Sequence, residues 1–380
     1  MMRVGFGVTV LARCLALGGI DGIGSYTREL MKRLEADSAV ELFPISYGYS
    51  PSQFPIGSRA PTTFGRYAPF AAASVVSGLP FPGTAQLKEC VDLIHAPDHL
   101  IPNYGEIPVI ASIMDAIPLS HPEWVSLKLR KMKNALWKRS AQWASHIITI
   151  SEYSKQEIAQ HFGIDTQKIS AIPLGVDARW FRPLEDEIMR GVLKRYDLPQ
   201  HYFLVVGTLQ PRKNIARVIE AHRSLSKEVR NEVPLVVVGR AGWRCEEVVE
   251  MLTSSSSCNS LRWLKHLPDD DLLAVLKGAT ALIFPSLYEG FGLPVIEAFA
   301  AGTPVITSNT TSLPEVAGDA AMLINPLDVS EIAAAMQLIL EQPELADSYK
   351  RKGQERALSY SWDRTASMTL DVYKKTREAA

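Results

Sequence analysis

Four cysteines in 380 residues, Cys14, Cys90, Cys245 and Cys258, fit neither a metal knuckle nor a disulfide framework, so the chain reads as one kept in a reducing compartment. Long apolar runs are also missing. The stretches 279–287 and 292–301 are broken by Pro, Gly or Glu well short of the roughly 20 residues that a membrane-spanning helix needs. A lone Arg3 ahead of a short apolar stretch imitates a secretory leader, but Val4, Phe6 and Val8 alternate as a first strand and Arg13 interrupts the run. Charge of one sign is not in excess either: 40 Lys and Arg face 41 Asp and Glu, a net charge of −1, which argues against a nucleic-acid partner. What is present is the balance of a globular protein, 47% apolar and 21% charged, at a length that suits two domains.

Strand-like and helix-like runs alternate through both halves, the pattern of doubly wound α/β domains with mostly parallel sheets. In the first half the strand candidates are Val4–Val10, Val91–His95, Val109–Met114, Ile147–Ile150 and Ile169–Pro173, with a helix over about Ile23–Leu34. Residues 50–84, rich in Pro, Gly, Ser and Ala, read as an irregular surface insertion. In the second half Tyr202–Val206, Pro234–Val238, Leu261–Trp263, Ala281–Phe284 and Pro304–Ser308 are strands between helices. A boundary near Gly175–Pro183 divides the chain into domains 1–178 and 179–361, and a terminal helix within 362–380 folds back toward the first domain.

Three loops carry the chemistry. The strand ALIFPS leads into LYEGFG and then into a helix opened by Pro294 and closed by Gly302. Glu289 lies in that loop and Glu297 is expected in the first helical turn, while Gly290, Phe291, Gly292 and Leu293 bring backbone amides and a helix N-terminus to an anion. Two carboxylates beside a phosphate site suit hydroxyl-rich groups, since a carboxylate accepts hydrogen bonds from sugar hydroxyls; Glu297 alone also fits a plain helix-start acid. The second loop, Gly207–Asn214 (GTLQPRKN), presents Arg212 and Lys213 at a strand end, where two cations opposing a helix dipole call for a counter-anion. The third, GGIDGIG at 18–24, offers Gly22 and Gly24 for close backbone approach or simply for a tight turn. Asp269, Asp270 and Asp271 follow Pro268 and open a helix, so capping accounts for them; His121, His146 and His266 lack ligand spacing, and no catalytic metal is expected.

These motifs, together with MDAIPLSHPEW, ITISEYSKQEI, IPLGVD and SLYEGFGLPVIEAFAAGTPVITSNTTSLPEVAGDAA, resemble the retaining GT-B glycosyltransferases of family 4 along nearly the whole chain. The E-x7-E spacing of Glu289 and Glu297 is the most specific part, and the likeness is strongest to bacterial mannosyltransferases of O-antigen synthesis. The resemblance implies two Rossmann-like domains facing across a cleft, a nucleotide-sugar donor such as GDP-mannose, a lipid-linked oligosaccharide acceptor and no cofactor. It assigns Glu289 to the transferred hexose, Glu297 to the ribose, Arg212 and Lys213 to the diphosphate, the backbone of Lys265, His266 and Leu267 to the base, and Asp115 to the reacting centre. Two positions depart from the family pattern: Met114 stands where a His is frequent, and Thr208 where an Arg is frequent. Other readings are a UDP-sugar donor, a nucleotide-sugar epimerase or hydrolase, and a catalytically silent nucleotide- or glycan-binding protein.

The segment 124–143 holds Lys128, Arg130, Lys131, Lys133, Lys138 and Arg139 interleaved with Trp124, Leu127, Met132, Leu136, Trp137 and Trp143. It reads either as a surface helix that packs its apolar side inward or as a contact with an anionic membrane, on the cytoplasmic face of the inner membrane.

Overall fold

The computed structural model describes residues 1–17, 20–48, 57, 59–124, 129–254 and 260–379. The chain forms two compact units, Met1–Gly175 with Trp362–Ala380, and Val176–Ser361.

The first unit carries a parallel sheet of β1 (Met2–Gly7), β2 (Val40–Tyr47), β3 (Thr62–Phe64), β4 (Leu93–Ala96), β5 (Val109–Ser112), β6 (His146–Thr149) and β7 (Ile169–Ala171), in the order β3-β2-β1-β4-β5-β6-β7. The second carries β8 (Phe203–Val206), β9 (Leu235–Val238), β10 (Leu261–Leu264), β11 (Ala281–Phe284), β12 (Val305–Ser308) and β13 (Met322–Ile324), in the order β10-β9-β8-β11-β12-β13. Runs such as LVVV in β9 and ALIF in β11 are buried at every position, as strands covered by helices on both faces must be. In each sheet the chain starts in the middle and then reverses, between β1 and β4 and between β8 and β11. Loops leaving the carboxyl ends of such strand pairs diverge to opposite faces and open a crevice.

Several elements differ from the sequence reading. The first strand stops at Gly7, and Thr9–Ala16 forms a helix whose Val10 amide donates to Asp98. Strands β2, β3 and β13 carry no clear sequence signal. The segment 50–84 is not irregular throughout: residues 49–56 and 58 lie outside the described residues, but the remainder supplies β3 and the helix Tyr67–Ser77. Phe81 is buried against Tyr47, Tyr67, Phe70 and Tyr104, so this part feeds the core rather than the surface.

The final helix, Trp362–Glu378, belongs to the first unit. The Thr365 hydroxyl donates to the Pro173 carbonyl at 2.7 Å, and Arg33 pairs with Asp363 at 2.7 Å. Deeper, His95 on β4 links Tyr373 at 2.6 Å to Ser112 at 2.8 Å, and Ser112 meets Tyr26 at 2.9 Å. Burial pushes the His95 imidazole down to about 3, so it acts as a neutral connector in a closed polar chain.

Candidate functional site

The reversal point of the second sheet is where the residues singled out from the sequence converge. After β8 the chain passes Gly207, whose carbonyl runs so close to the turn after β9 that a Cβ on Gly239 would lie 1.9 Å from it. Only glycine fits there, and no other feature of the sequence singled out Gly239. A 3-10 turn, Pro211–Lys213, then presents the cations. Asn214, in a left-handed conformation at φ 60, donates its side-chain amide to the carbonyls of Pro285 at 3.0 Å and Pro326 at 2.6 Å, and the Leu287 amide donates to the Arg212 carbonyl at 2.7 Å. The loops after β8 and β11 are thereby fastened together.

Between them sits Glu289, 8% exposed. Its Oε2 accepts from Arg212 Nη1 at 2.8 Å and its Oε1 from Lys213 Nζ at 2.6 Å, and Arg212 also donates to the Tyr288 carbonyl at 3.1 Å. The Ser312 hydroxyl holds the loop by donating to the carbonyls of Glu289 and Phe291, and the Glu289 amide donates to Thr311 Oγ1. Burial works to raise the Glu289 carboxyl, but the charges of Lys213 and Arg212 outweigh it and bring it down to about 2. Burial lowers Lys213, against the pull of Glu289 and with the push of Arg212, while Lys213 Nζ stands 4.6 Å from the centre of the Phe284 ring. The counter-anion that the two cations called for is therefore supplied within the chain.

Glu297 lies in the second turn of the helix Leu293–Ala301 rather than the first, because Gly292, at φ 112, is the N-cap. It is half-buried, and burial raises its carboxyl to about 7, opposed by the Arg179 charge and assisted by those of Asp269 and Asp177. Arg179 is ion-paired with both of these aspartates. The acidic triplet is not a cap, since Pro268 occupies that position without a side-chain bond. Instead Asp270 pairs with Arg182 at 3.0 Å, and Asp271 takes Arg195 at 2.9 Å and the Tyr196 hydroxyl at 2.6 Å. Arg179 has no motif of its own; only its place two residues after Asp177 in IPLGVDAR hinted at it.

Thr208 is exposed beside Gly207. Lys265 and His266 are exposed and Leu267 is buried directly after β10, with Lys265 over the Trp263 ring at 5.2 Å. Gly290 and Phe291 are buried, Leu293 is half-buried, and a Cβ on Gly292 would meet Leu313 at 2.7 Å. Asp115, Gly22 and Gly24 belong to the first unit. Asp115 accepts from the Ile117 amide at 3.1 Å next to a buried Met114, and Gly22 opens the helix Gly22–Ala36, where the Gly24 amide donates to Asp21 at 2.8 Å. Asp98, at the reversal of the first sheet, is raised to about 6 by burial although it accepts from backbone amides, and sequence reasoning passed it over. Among the described residues no group of three or more His, Cys, Asp or Glu side chains is arranged to hold a metal ion, and no helix is long and apolar enough to cross a membrane.

Residues 194–356 match the model for glycosyl transferases group 1, and residues 20–180 match that for Glycosyltransferase Family 4. Over 369 residues the chain is 31% identical to O-antigen chain mannosyltransferase B of Escherichia coli, covering 93% of this chain and 96% of that one. The chain belongs to the GT-B glycosyltransferases of family 4. This glycosyltransferase is also 30% identical over 242 residues to the MMP alpha-(1->4)-mannosyltransferase of Mycolicibacterium hassiacum, covering 63% of this chain and 56% of that one. Among solved structures, Anabaena Alr3699/HepE in complex with UDP and glucose aligns over 99% of this chain and 100% of its own with a TM-score of 0.76 at 16% identity, a likeness of fold.

Proposed function

We propose that this glycosyltransferase moves mannose from GDP-mannose onto a lipid-linked glycan, with retention of anomeric configuration and without a metal ion. The observation that carries the reading is the buried Arg212–Glu289–Lys213 cluster at the reversal point of the second sheet, in a chain whose relative over nearly its full length is an O-antigen mannosyltransferase. Two cations and one carboxylate leave a net charge of +1, suited to a diphosphate. Glu289 then meets hydroxyls of the hexose, Glu297 those of the ribose, and the backbone at Lys265–Leu267 flanks the base. In a front-face displacement the bond from C1 to the phosphate oxygen breaks as a bond from C1 to the acceptor oxygen forms on the same face, and the leaving diphosphate takes the acceptor proton. The protein is asked for positioning and for stabilisation of the departing charge, with Asp115 on the acceptor side.

The helix Arg130–Ala141 supports a membrane-surface contact. It turns Leu136 and Trp137 to the core, while Met132 is 61% exposed among Lys131, Lys133, Lys138 and Arg139; Lys128 lies outside the described residues. That contact and a lipid-linked acceptor would suit a location on the cytoplasmic face of the inner membrane.

Incubation with GDP-mannose and an alkyl α-mannoside or N-acetylglucosaminide tests the reading: an α-linked mannosyl product is expected, and its absence while another nucleotide-sugar is used would overturn the donor assignment. A UDP-sugar donor is the second reading, and a product formed from a UDP-sugar but not from GDP-mannose in the same assay selects it.

A further inference from the structure

The first unit has a cavity of about 350 Å³ at the opposite edge of its sheet from the reversal-point loops, where β6 and β7 begin. His146, Lys168 and Ser170 line it from the sheet side, and Val372, Lys375 and Thr376 from one face of the final helix. None of its lining side chains is acidic, and among the described residues neither Lys168 nor Lys375 is in an ion pair. We propose that this cavity binds a phosphate-bearing ligand of sugar-phosphate size, bridging the final helix to the sheet edge, at a site separate from the Arg212–Lys213 cluster.

The chemistry is that of anion recognition. Two ammonium groups supply charge from opposite walls, and the hydroxyls of Ser170 and Thr376 supply hydrogen bonds above an apolar floor at Val372. The local potential is positive: besides burial, the charges of Lys375 and Lys155 hold the His146 imidazole below its ordinary range, while its Nε2 is engaged with Ser170 Oγ at 2.9 Å. An anion between the lysines reverses that push. The same helix carries Tyr373 into the His95 chain.

The probe is the His146 imidazole, observed by NMR in full-length protein titrated with inorganic pyrophosphate, with glucose 1-phosphate and with phosphatidylglycerol vesicles, against potassium chloride of equal ionic strength. The R212A/K213A variant serves as background, so that binding at the donor cluster does not contribute. A saturable shift of His146 with a raised titration midpoint is expected for pyrophosphate and glucose 1-phosphate, weakened at least tenfold in K168A/K375A and retained in K168R/K375R. A response to vesicles alone assigns the phosphate to a lipid headgroup; a response to the soluble compounds assigns it to a free metabolite. A response no larger than that to chloride, or one that survives K168A/K375A, overturns the proposal. Because His146 reports on the first unit, these outcomes do not depend on the donor assignment.

Discussion

Replacing Glu289 by Gln removes one negative charge from between two cations and leaves the shape of the site intact. Bringing a carboxyl from 4.5 down to about 2 corresponds to about 3 kcal/mol of stability at neutral pH. The sign follows from the direction. A carboxyl lowered by folding contributes fully above its unfolded value, and the contribution fades as pH falls through the folded one. Wild type should therefore exceed E289Q by about 3 kcal/mol at pH 7, about 1.5 kcal/mol at pH 3 and almost nothing near pH 1. The partly offsetting route is deprotonation of Lys213, whose burial already lowers it, so the figure is an upper value. Two-unit proteins do not unfold in one step, and the assay has to be local: amide hydrogen exchange of β8 and β11 read by mass spectrometry. GDP should then protect those strands more in E289Q than in wild type, because its diphosphate replaces the missing counter-charge. A difference below about 1 kcal/mol at pH 7, or one that does not shrink toward pH 3, refutes this balance of charges.

Glu297, raised to about 7, makes the second unit less stable as pH climbs from 4.5 to 7, since the unfolded carboxyl ionises first; exchange protection in E297Q should stay level across that window. In steady-state assays E289A should lower kcat strongly, whereas E297A should chiefly raise the donor KM, and the reverse pattern exchanges their roles. Gly239→Ala drives a Cβ into the Gly207 carbonyl at 1.9 Å and should cost about 3 kcal/mol or more, seen as loss of protection in β8 and β9. Replacing Lys131, Lys133 and Lys138 by Glu should reduce sedimentation with anionic vesicles while activity on a soluble acceptor is kept.

The buried strands were legible because they had no alternative. LVVV and ALIF are short apolar runs between turn signals, VITS follows Gly302 and Pro304, and each is a strand buried at every position. Strand β2 hid because Glu41 and Pro44 interrupt its apolar pattern, yet its register against β1, Met2 to Val40 through Gly7 to Ile45, shows no break. The helix Thr9–Ala16 was obscured by a strand-like alternation that runs on past Gly7, and the carboxylate that takes its Val10 amide, Asp98, lies 88 residues away. Long-range partners of this kind carry no local pattern. The acidic triplet makes the same point. Its helix start was readable, but its pairing with Arg179, Arg182 and Arg195 depends on which turn lies alongside.

For the candidate site the residue types were legible and their pairing was not. Glu289 and the two cations were read as separate contacts to different parts of one ligand, a carboxylate for hydroxyls and an Arg-Lys pair for phosphate. Both carboxylate oxygens are instead taken by Arg212 and Lys213. A carboxylate oxygen has two lone-pair directions, so Glu289 can keep its cations and still accept a hydroxyl, but each cation it holds is pulled away from a phosphate. Donor binding and Glu289 are therefore coupled through the same two side chains. A phosphate oxygen that draws Arg212 and Lys213 toward itself loosens their hold on Glu289 and leaves a more basic, more available carboxylate beside the sugar. A ligand with the hexose but no phosphate meets Glu289 with both partners in place, so hexose and nucleoside diphosphate should bind more tightly together than their separate affinities imply.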